Sequence, residues 1–389
     1  MKRAHYAGRD FRRAITIEDL RRIARRQLPN FGYEYVEGGA EDELSLKRNR
    51  DVFERIAWLP RTLAGVGAPD LSTEILGETC HLPIIIAPTG FNGLVWPEGD
   101  LALAKAAADA GIPFTLSTVS NYPLAKMTAE VPGRVWFQLY PFKDANFVDR
   151  LVDIVQDAGV AVMAVTTDVP IFGAREWDLR NWRAPMKLNL PNMLDVLAHP
   201  SWLWRVMIPG GGPKFENLKE FLPPGVQSAM VGARFMATQF NTRLGWEDME
   251  RIRGRWKGKL VVKGILCVED AKRAADVGVD GIVLTNHGGR QLDSCVSGVE
   301  LLPAVSAEVG NRLTVLVDGG FRRGSDVLKA IALGARGVMV GRPVLYGLAA
   351  GGQPGVAHAL QILRTEMERV MMLLGCRSLA DLGRHLIRS

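Results

Sequence analysis

The sequence has few cysteines, and their positions exclude several kinds of site. Four cysteines occur among 389 residues, and no two of them form a Cys-X-X-Cys pair. They are Cys80, Cys267, Cys295 and Cys376. This scarcity and scatter argue against a zinc site or a disulfide framework, and they fit a reducing cytosol.

The sequence also lacks a long apolar run. No stretch reaches the ~20 residues that a membrane-spanning helix needs, and no N-terminal signal peptide is visible. Basic residues crowd the segment from Lys2 to Arg26, and the net charge is +6. Zinc-finger, RNP and basic-zipper patterns are nevertheless missing, so we expect no nucleic-acid partner. Hydrophobic residues make up 47% and charged residues 23%, which is typical of an ordinary globular protein with a large core.

Eight short apolar runs predict the fold. They are nearly continuous rather than alternating, as expected of strands buried on both faces of a parallel sheet. Ala- and Leu-rich helical stretches separate most of them, which indicates repeated strand–helix units. Eight such units predict an α/β fold, a single (β/α)8 TIM barrel spanning residues 1–389. The predicted strands are Leu82–Ala87, Pro113–Ser117, Val135–Leu139, Ala161–Thr166, Leu260–Lys263, Gly281–Thr285, Thr314–Val317 and Gly337–Val340.

Two segments interrupt this repeat. Residues 1–80 form an N-terminal extension, with helical character, that we expect to cap the bottom or the side of the barrel. Residues 177–245 form an insertion between the fourth and fifth strands, where the other connections are far shorter. A loop of this length in a compact fold is usually functional or mobile.

Every predicted strand ends in polar or ionisable side chains. A (β/α)8 barrel carries its active site at that end of the strands. Polarity resumes at any strand end, which explains a Thr or Ser there, but it explains Lys263, His287 and Asp168 poorly. In chain order the strand-end residues are Thr89, Ser117, Gln138, Tyr140, Thr166, Asp168, Lys263, His287, Arg290, Asp318 and Arg342.

Glycine-rich segments after the last two strands indicate a phosphate site. Asp318–Gly324 reads Asp-Gly-Gly-Phe-Arg-Arg-Gly and opens a helix, and Gly341-Arg342-Pro343 follows the eighth strand. Glycines let backbone N–H groups approach an anion, and the helix N-terminus and arginine side chains add positive charge. Barrels often bind phosphate at these two strands. No Gly-X-Gly-X-X-Gly follows the first strand, which argues against a Rossmann nicotinamide site.

The segment Asn286–Asp293 carries the predicted chemistry. It places His287 and Arg290 three residues apart, beside two glycines. His287 can accept a proton near neutral pH, and Arg290 can clamp a carboxylate with two hydrogen bonds. Asp168 can stabilise the protonated imidazole, and Lys263 can stabilise negative charge on a reduced cofactor. A lone histidine is more often structural, but this setting favours a catalytic one.

These motifs resemble those of the FMN-dependent 2-hydroxy acid dehydrogenases and oxidases. The chain is most similar to two members, (S)-mandelate dehydrogenase and bacterial L-lactate dehydrogenase. The most specific motif is Asn286–Asp293 in its Ser-Asn-His-Gly-Gly-Arg-Gln-Leu-Asp form, although Thr285 replaces the serine. The other matching segments are Tyr35–Ala40, Ala87–Gly90, Trp136–Tyr140, Thr166–Asp168 and Asp318–Gly324.

The resemblance implies an FMN cofactor, no metal, and oxidation of an (S)-2-hydroxy acid, mandelate-like or lactate, to the 2-keto acid. It also implies a homotetramer. His287 would be the base supported by Asp168, and the other residues would face the substrate. The implied catalytic and substrate residues are His287, Asp168, Arg290, Tyr140, Tyr35 and Arg175. The implied FMN-binding residues are Pro88, Thr89, Gly90, Ser117, Gln138, Thr166, Lys263, Asp318, Gly319, Arg322, Gly341 and Arg342.

One position departs from the glycolate-specific pattern. Glycolate oxidase has a tryptophan that contacts the substrate where this chain has Val119. The smaller side chain leaves a wider pocket and weakens the case for glycolate. Phe91, Tyr122 and Phe172 are candidates to line such a pocket for an aryl or alkyl group.

Three alternatives remain open at this stage. A phosphate-binding aldolase or isomerase barrel would use Lys263 to form a Schiff base. A 2-hydroxy acid oxidase would pass its electrons to oxygen rather than to a quinone or a cytochrome. A catalytically silent flavin- or lipid-binding scaffold would need none of the ionisable residues that are present.

The insertion predicts a membrane contact. Residues 177–225 contain four tryptophans among aliphatic and basic side chains, and tryptophan favours the membrane interface. The competing interpretation is a lid that folds over the active site. We favour a peripheral protein on the cytoplasmic side of the inner membrane, because a quinone acceptor resides in the bilayer.

Overall fold

The computed structural model describes residues 6–183, 187–208, 212–222, 232 and 235–388. Eight parallel strands pair in chain order and close into a barrel, which confirms the predicted fold. Each strand lies within two residues of its predicted bounds. The barrel strands are β1 Ile84–Ile86, β2 Phe114–Ser117, β3 Val135–Leu139, β4 Val162–Thr166, β5 Lys259–Ile265, β6 Gly281–Leu284, β7 Thr314–Asp318 and β8 Gly337–Val340.

Helices surround the barrel, and most are connected to the strands by short loops; helix Trp246–Arg255 is an exception, because the insertion separates it from β4. Several begin at a side chain that accepts hydrogen bonds from free backbone N–H groups, as Asp144 does for two residues of the following helix. The last helix bends at Gly351–Gly352. Gly352 has φ +61°, and a Cβ there would clash with the ring of Trp96, so glycine is required at the bend. The surrounding helices are Asn92–Val95, Gly99–Asp109, Leu124–Glu130, Ala145–Asp157, Trp246–Arg255, Val268–Val277, Gly298–Val309, Gly324–Ala332 and Arg342–Leu374.

A hairpin of the N-terminal extension closes the bottom of the barrel. Its strands, Thr73–Ile75 and Glu78–Cys80, pack Ile75 and Cys80 against the side chains that fill the barrel interior. Trp136 of β3 donates a hydrogen bond from Nε1 to Glu78 Oε1 at 3.3 Å. This placement agrees with the expected cap.

The helices of the extension do not all lie at the bottom or the side. They span Ile17–Gln27, Asn30–Glu37 and Leu44–Glu54, after a 3₁₀ turn at Phe11–Arg13. Helix Asn30–Glu37 reaches the opposite end of the barrel, where Tyr35 Oη donates to the carbonyl of Gly90 at 3.2 Å. The extension therefore contributes directly to the active end.

The insertion begins with a helix, Glu176–Asn181, and a short hairpin of Trp182–Arg183 with Lys187–Leu188. Helical segments Leu190–Ala198, Pro200–Trp202 and Leu203–Met207 follow, the last of them a π-helix. Residues 184–186, 209–211, 223–231 and 233–234 of the predicted insertion lie outside the described residues. In the described part of the chain no helix is both long and apolar enough to cross a bilayer.

The tryptophans of the insertion differ in solvent exposure. Trp202 is 1% exposed and donates from Nε1 to the carbonyl of Leu94 at 2.8 Å. Trp177 and Trp204 are 43% and 71% exposed, and the side chain of Trp182 is not among those described. Trp202 therefore belongs to the core, whereas Trp177 and Trp204 lie at the surface.

Two further short elements complete the chain. Ala57–Trp58 pairs with the C-terminal strand Ile387–Arg388 in an antiparallel sheet. Two 3₁₀ turns, Leu379–Asp381 and Arg384–Leu386, precede that strand.

Candidate active site

A cavity of about 470 Å³ opens at the carboxyl ends of the strands, within the usual size range of small-molecule sites. All but three of the predicted site residues line it. The exceptions are Asp168, Gln138 and Thr166. Each of them is next to a lining residue: Asp168 contacts His287, Gln138 contacts Ser117, and Thr166 pairs with Lys263 on the neighbouring strand. The structure thus gathers residues from all eight strand ends around one space.

The loop after β6 holds His287 in an uncommon backbone conformation. Its φ of +58° lies in the left-handed region, which is sparsely populated by residues other than glycine. Thr285 Oγ1 accepts a hydrogen bond from the His287 N–H and donates to Asp318 Oδ1, both at 2.9 Å. The conformation is therefore fixed by a hydrogen-bond chain that begins on β7.

His287 and Asp168 form a partly buried pair. Nδ1 of His287 lies 3.0 Å from Oδ1 of Asp168. Burial would raise the pKa of Asp168, but His287 and Lys263 outweigh it and lower that pKa, so Asp168 is ionised and can only accept. We therefore place the proton on Nδ1 and a free lone pair on Nε2.

The surroundings of His287 favour its neutral form. Burial lowers its pKa, the cation of Lys263 adds to that effect, and Asp168 opposes both. A neutral imidazole with a free Nε2 lone pair that faces the cavity can act as a general base.

Lys263 is a fixed buried cation. Its Nζ lies 3.0 Å from Asp318 Oδ2, and its side chain is almost fully enclosed. Burial would lower the pKa of Lys263, but Asp318 and Asp168 together raise it. Gly264 follows with φ +125°, and a Cβ there would lie 2.9 Å from Cβ of Asp168. Glycine therefore allows β5 to approach the Asp168 loop closely.

Two arginines bring positive charge to the cavity. Arg290 donates to the carbonyl of Gly38 at 2.7 Å and lies over the ring of Tyr35. Arg175 donates from Nε to the carbonyl of Arg290 at 3.3 Å. Burial, together with the neighbouring Arg290, lowers the pKa of Arg175 to about 10. Two guanidinium groups that line one cavity and repel each other favour an anion, such as a carboxylate, beside them.

The loop after β7 forms the predicted anion cradle. Gly319 and Gly320 have φ of +109° and +86°, and a Cβ on Gly320 would lie 1.8 Å from the carbonyl oxygen of Asn49. Only glycine fits at that position. Arg322 and the N-terminus of helix Gly324–Ala332 lie beside these glycines, so the cradle can bind a phosphate.

Arg342 ties the cradle to its surroundings. Its nitrogens donate to the carbonyls of Val36, Gly38 and Gly288 at 2.9 to 3.1 Å. Burial and the nearby Arg290 lower the pKa of Arg342 to about 10. Sequence reasoning placed Arg342 at the phosphate, but it did not predict these links to the N-terminal extension.

The residues present fit a flavin mononucleotide. Gln138 Oε1 accepts from Ser117 Oγ at 2.9 Å, whereas the buried Nε2 has no hydrogen-bond partner among the described residues. A buried donor of this kind calls for an acceptor, and a flavin ring offers several. The cation of Lys263 and the anion cradle lie on the same cavity.

Aromatic side chains form the rest of the wall. Tyr35 packs edge-on against Phe91. Phe240 packs edge-on against both Tyr140 and Phe172 with ring centroids 5.3 and 4.8 Å apart. Val119 lines the cavity as expected.

Sequence reasoning missed several of these residues and misplaced one. Phe215, Met236 and Phe240 come from the insertion and line the cavity, but no motif marks them. Tyr122 is absent from the wall, because it is buried and its hydroxyl donates to Glu130. Among the described residues no group of acidic, histidine or cysteine side chains could hold a metal.

Comparison with known proteins shows the family of this chain. Residues 24–389 match the family model described as FMN-dependent dehydrogenase. The chain is 41% identical to (S)-mandelate dehydrogenase of Pseudomonas putida, over 95% of this chain and 92% of that protein. It is 45% identical to a putative L-lactate dehydrogenase of Mycobacterium tuberculosis, over 95% and 88%.

A solved structure agrees as well. The crystal structure of the monotopic membrane protein (S)-mandelate dehydrogenase superposes with a TM-score of 0.92 at 40% identity, covering 97% of this chain and 99% of that one. The expected family and cofactor are thereby confirmed. The chain belongs to the FMN-dependent dehydrogenase family, and its cofactor is FMN.

Proposed function

We propose that this protein oxidises an (S)-2-hydroxy acid with an aromatic or bulky side chain, of the mandelate type, to the 2-keto acid. The observation that carries the proposal is one cavity holding a neutral histidine, a pair of arginines and an aromatic wall. The names of the two relatives, a mandelate and a putative lactate dehydrogenase, support a 2-hydroxy acid as substrate, and the first of them supports an aromatic side chain.

His287 would remove one proton from the substrate. When bound, FMN supplies the acceptor for the two electrons that leave the alcohol carbon. Nε2 of His287 takes up a proton, from the hydroxyl or from the α-carbon, and Asp168 stabilises the resulting imidazolium. The second hydrogen leaves with or after the electrons.

Arg290 and Arg175 would hold the substrate carboxylate. Both line the cavity, and a bidentate clamp fixes the orientation of a planar carboxylate. Tyr35 and Tyr140 also line the cavity. Their hydroxyls would bond to the carboxylate or hydroxyl group of the substrate, and Tyr35 would turn to do so from the Gly90 carbonyl to which it donates here. Burial raises the pKa of Tyr35 and Tyr140, so both hydroxyls remain protonated donors at neutral pH.

The FMN-binding roles assigned from the resemblance are proposed on the same basis. The cradle of Gly319, Arg322 and Gly341 would bind the phosphate end. Lys263 and Gln138 would face the ring, where a fixed cation stabilises negative charge. Arg342, which follows Gly341, would lie at the same phosphate end. The ribityl chain and the ring edge would contact the remaining residues, which are Pro88, Thr89, Gly90, Ser117, Thr166 and Asp318.

Substrate preference tests the proposal directly. The purified protein is assayed with (S)-mandelate, L-lactate and glycolate, and flavin reduction is followed without oxygen. Because burial of the phenyl group against the aromatic wall stabilises the bound substrate, kcat/KM for (S)-mandelate should exceed that for glycolate by about 10²-fold. Equal or better reaction with glycolate would contradict the aryl preference, and absence of flavin reduction by any 2-hydroxy acid would favour the silent scaffold.

The aldolase alternative is disfavoured by the state of Lys263. A Schiff base needs a neutral amine, whereas the pairing with Asp318 raises the pKa of Lys263 and keeps it protonated. Borohydride trapping with a keto acid should therefore leave Lys263 unmodified, and a covalent adduct would contradict this expectation.

We also propose that the insertion binds the cytoplasmic face of the inner membrane and that the acceptor is a quinone. Helix Leu190–Ala198 exposes Leu190, Met193, Leu194 and Leu197 along one side, as interfacial helices do. The relative with the 0.92 TM-score is described as a monotopic membrane protein, which supports the proposal.

A surface variant tests the membrane contact. The four exposed apolar residues of helix Leu190–Ala198 are replaced by serine, and partition into phospholipid vesicles is measured by sedimentation. A matched control replaces Leu63, Met372 and Leu373, which are also exposed. The helix variant should leave the vesicles and the control should remain bound, while both reduce flavin normally. Wild-type protein that stays in the supernatant at low salt would contradict the proposal and favour the lid.

The acceptor is tested by following reoxidation of the reduced protein with a quinone analogue and with oxygen. A quinone acceptor predicts faster reoxidation by the analogue, and the reverse order would favour the oxidase. The expected homotetramer stays a prediction, which light scattering of the purified protein can check.

A further inference from the structure

Four side chains connect the N-terminal extension to the anion cradle. Arg21 donates to Oε1 of Glu37 from Nε at 3.1 Å and from Nη2 at 2.9 Å. Oε2 of Glu37 accepts from the hydroxyl of Tyr346 at 2.6 Å. That hydroxyl also accepts from Nη2 of Arg322 at 3.4 Å. Three of the four stand on separate helices, and Arg322 stands on the cradle loop.

The direction of each hydrogen bond is fixed by charge. Burial would raise the pKa of Glu37, but Tyr346 and Arg21 outweigh it and lower that pKa, so Glu37 is a carboxylate and can only accept. The proton of Tyr346 therefore points to Glu37, and an oxygen lone pair points to Arg322. The guanidinium of Arg322 also lies over the Tyr346 ring, 5.5 Å from its centroid.

This arrangement orients Arg322 without using up its positive charge. The side chain of Arg322 contacts a carbonyl, that of Phe321, and a neutral hydroxyl, that of Tyr346. The carboxylate of Glu37 lies on the far side of Tyr346 from Arg322, where it forms an ion pair with Arg21. A guanidinium held in this way remains available to an anion on the cavity side.

We propose that Tyr346 and Glu37 are positioning residues that hold Arg322 ready for the phosphate of FMN, and that FMN binding is thereby coupled to the docking of the N-terminal helices. The inference rests on FMN as the cofactor and not on the identity of the substrate. The substrate proposal and this one can therefore fail separately.

The test compares FMN with riboflavin, which lacks the phosphate. The full-length protein and its Tyr346→Phe variant are stripped of flavin and titrated with each flavin, and quenching of flavin fluorescence gives Kd. Loss of a hydrogen bond to a charged group should raise the Kd for FMN about tenfold. The Kd for riboflavin should change less than about twofold, because no phosphate contact is involved.

A general packing defect would give a different result. It would weaken both flavins by the same factor, and that outcome, or an unchanged Kd for FMN, would overturn the proposal. Glu37→Asp serves as a second variant, because it keeps the charge but shortens the reach to Tyr346. It should show the same selective loss, and it decides the question if Tyr346→Phe does not fold.

Tyr122→Phe is the matched control. Tyr122 is also buried and also donates its hydroxyl to a glutamate, Glu130, but it does not line the cavity. Its substitution should leave both Kd values unchanged. An equal selective loss of FMN affinity in this control would overturn the assignment to Tyr346.

The coupling has its own readout in hydrogen exchange. FMN should slow amide exchange in helix Asn30–Glu37 of the wild type, and riboflavin should do so less. In Tyr346→Phe the two flavins should give equal protection. A helix whose exchange responds equally to both flavins in the wild type would contradict the coupling.

Discussion

The carboxyl ends of the barrel strands, here called the rim, differ from the insertion in the kind of side chain they pair or expose. At the rim, Lys263 is paired with Asp318 and His287 with Asp168. Among the described residues between 177 and 208, eight large apolar side chains are exposed. These two rim pairs balance a cation or a histidine with a carboxylate, whereas the outer surface of the insertion leaves apolar area in contact with solvent.

The inner side of the insertion differs again from its outer side. Phe215 and Phe240 face the cavity, and Trp202 is part of the core. The proposed membrane contact would use the outer side of the segment and leave its inner side to the cavity wall. The following predictions test how far the chemistry depends on the rim alone.

The largest effect is expected for His287→Ala. The variant should keep its yellow colour, because FMN is held by other residues, but flavin reduction by substrate should slow by more than about 10⁴-fold. Anaerobic stopped-flow absorbance measures both the bound flavin and the rate. A rate within tenfold of wild type would remove His287 from the mechanism.

A smaller loss is expected for Asp168→Asn, on the order of 10³-fold. An amide at this position can donate to Nδ1 and so leave the proton on Nε2, the wrong tautomer for a base. In the wild type the pKa of His287 lies below its ordinary value, so kcat/KM should be full at pH 7 and fall at a pH below about 6.5. In the variant this acidic limb should move to lower pH, because the charge that raises the pKa is gone. A limb that stays in place would contradict the pairing.

Arg290→Lys should lower kcat/KM by roughly tenfold to a hundredfold, because lysine keeps the charge but not the planar fork. Steady-state assays with the free acid give this value. The methyl ester of the substrate provides the control, since it has no carboxylate to clamp and should react poorly with the wild type. Equal reaction of ester and acid would show that there is no carboxylate clamp.

The smallest effect tests whether the insertion influences the rim. Oδ2 of Asp195 accepts from the backbone N–H of Asn30 and so caps the helix that carries Tyr35. Loss of a cap costs about 1 kcal/mol, so Asp195→Ala should raise KM about fivefold with little change in kcat. Asp144→Ala removes a cap from helix Ala145–Asp157 and should leave KM unchanged. Equal KM values for Asp195→Ala and Asp144→Ala would show that the insertion does not influence substrate binding at the rim.

The sequence predicted the barrel because its signals are local. Continuous apolar runs such as Val135–Leu139 mark strands buried on both faces, and the polar residue after each run marks the active end. Residues at strand ends, including Lys263 and His287, could therefore be placed around one site before the structure was known. The family motif then predicted FMN as the cofactor, and the comparisons confirmed this prediction.

Contacts between distant segments were decided only by the tertiary structure. Nothing in the local pattern distinguishes buried Trp202 from exposed Trp204, because burial depends on the neighbours that folding brings together. The same holds for Phe240 in the cavity wall and for Tyr346, which meets Glu37 across more than 300 residues. Periodicity and strand ends fix which side chains face the barrel axis or its rim, whereas long-range packing determines which partner each of them has.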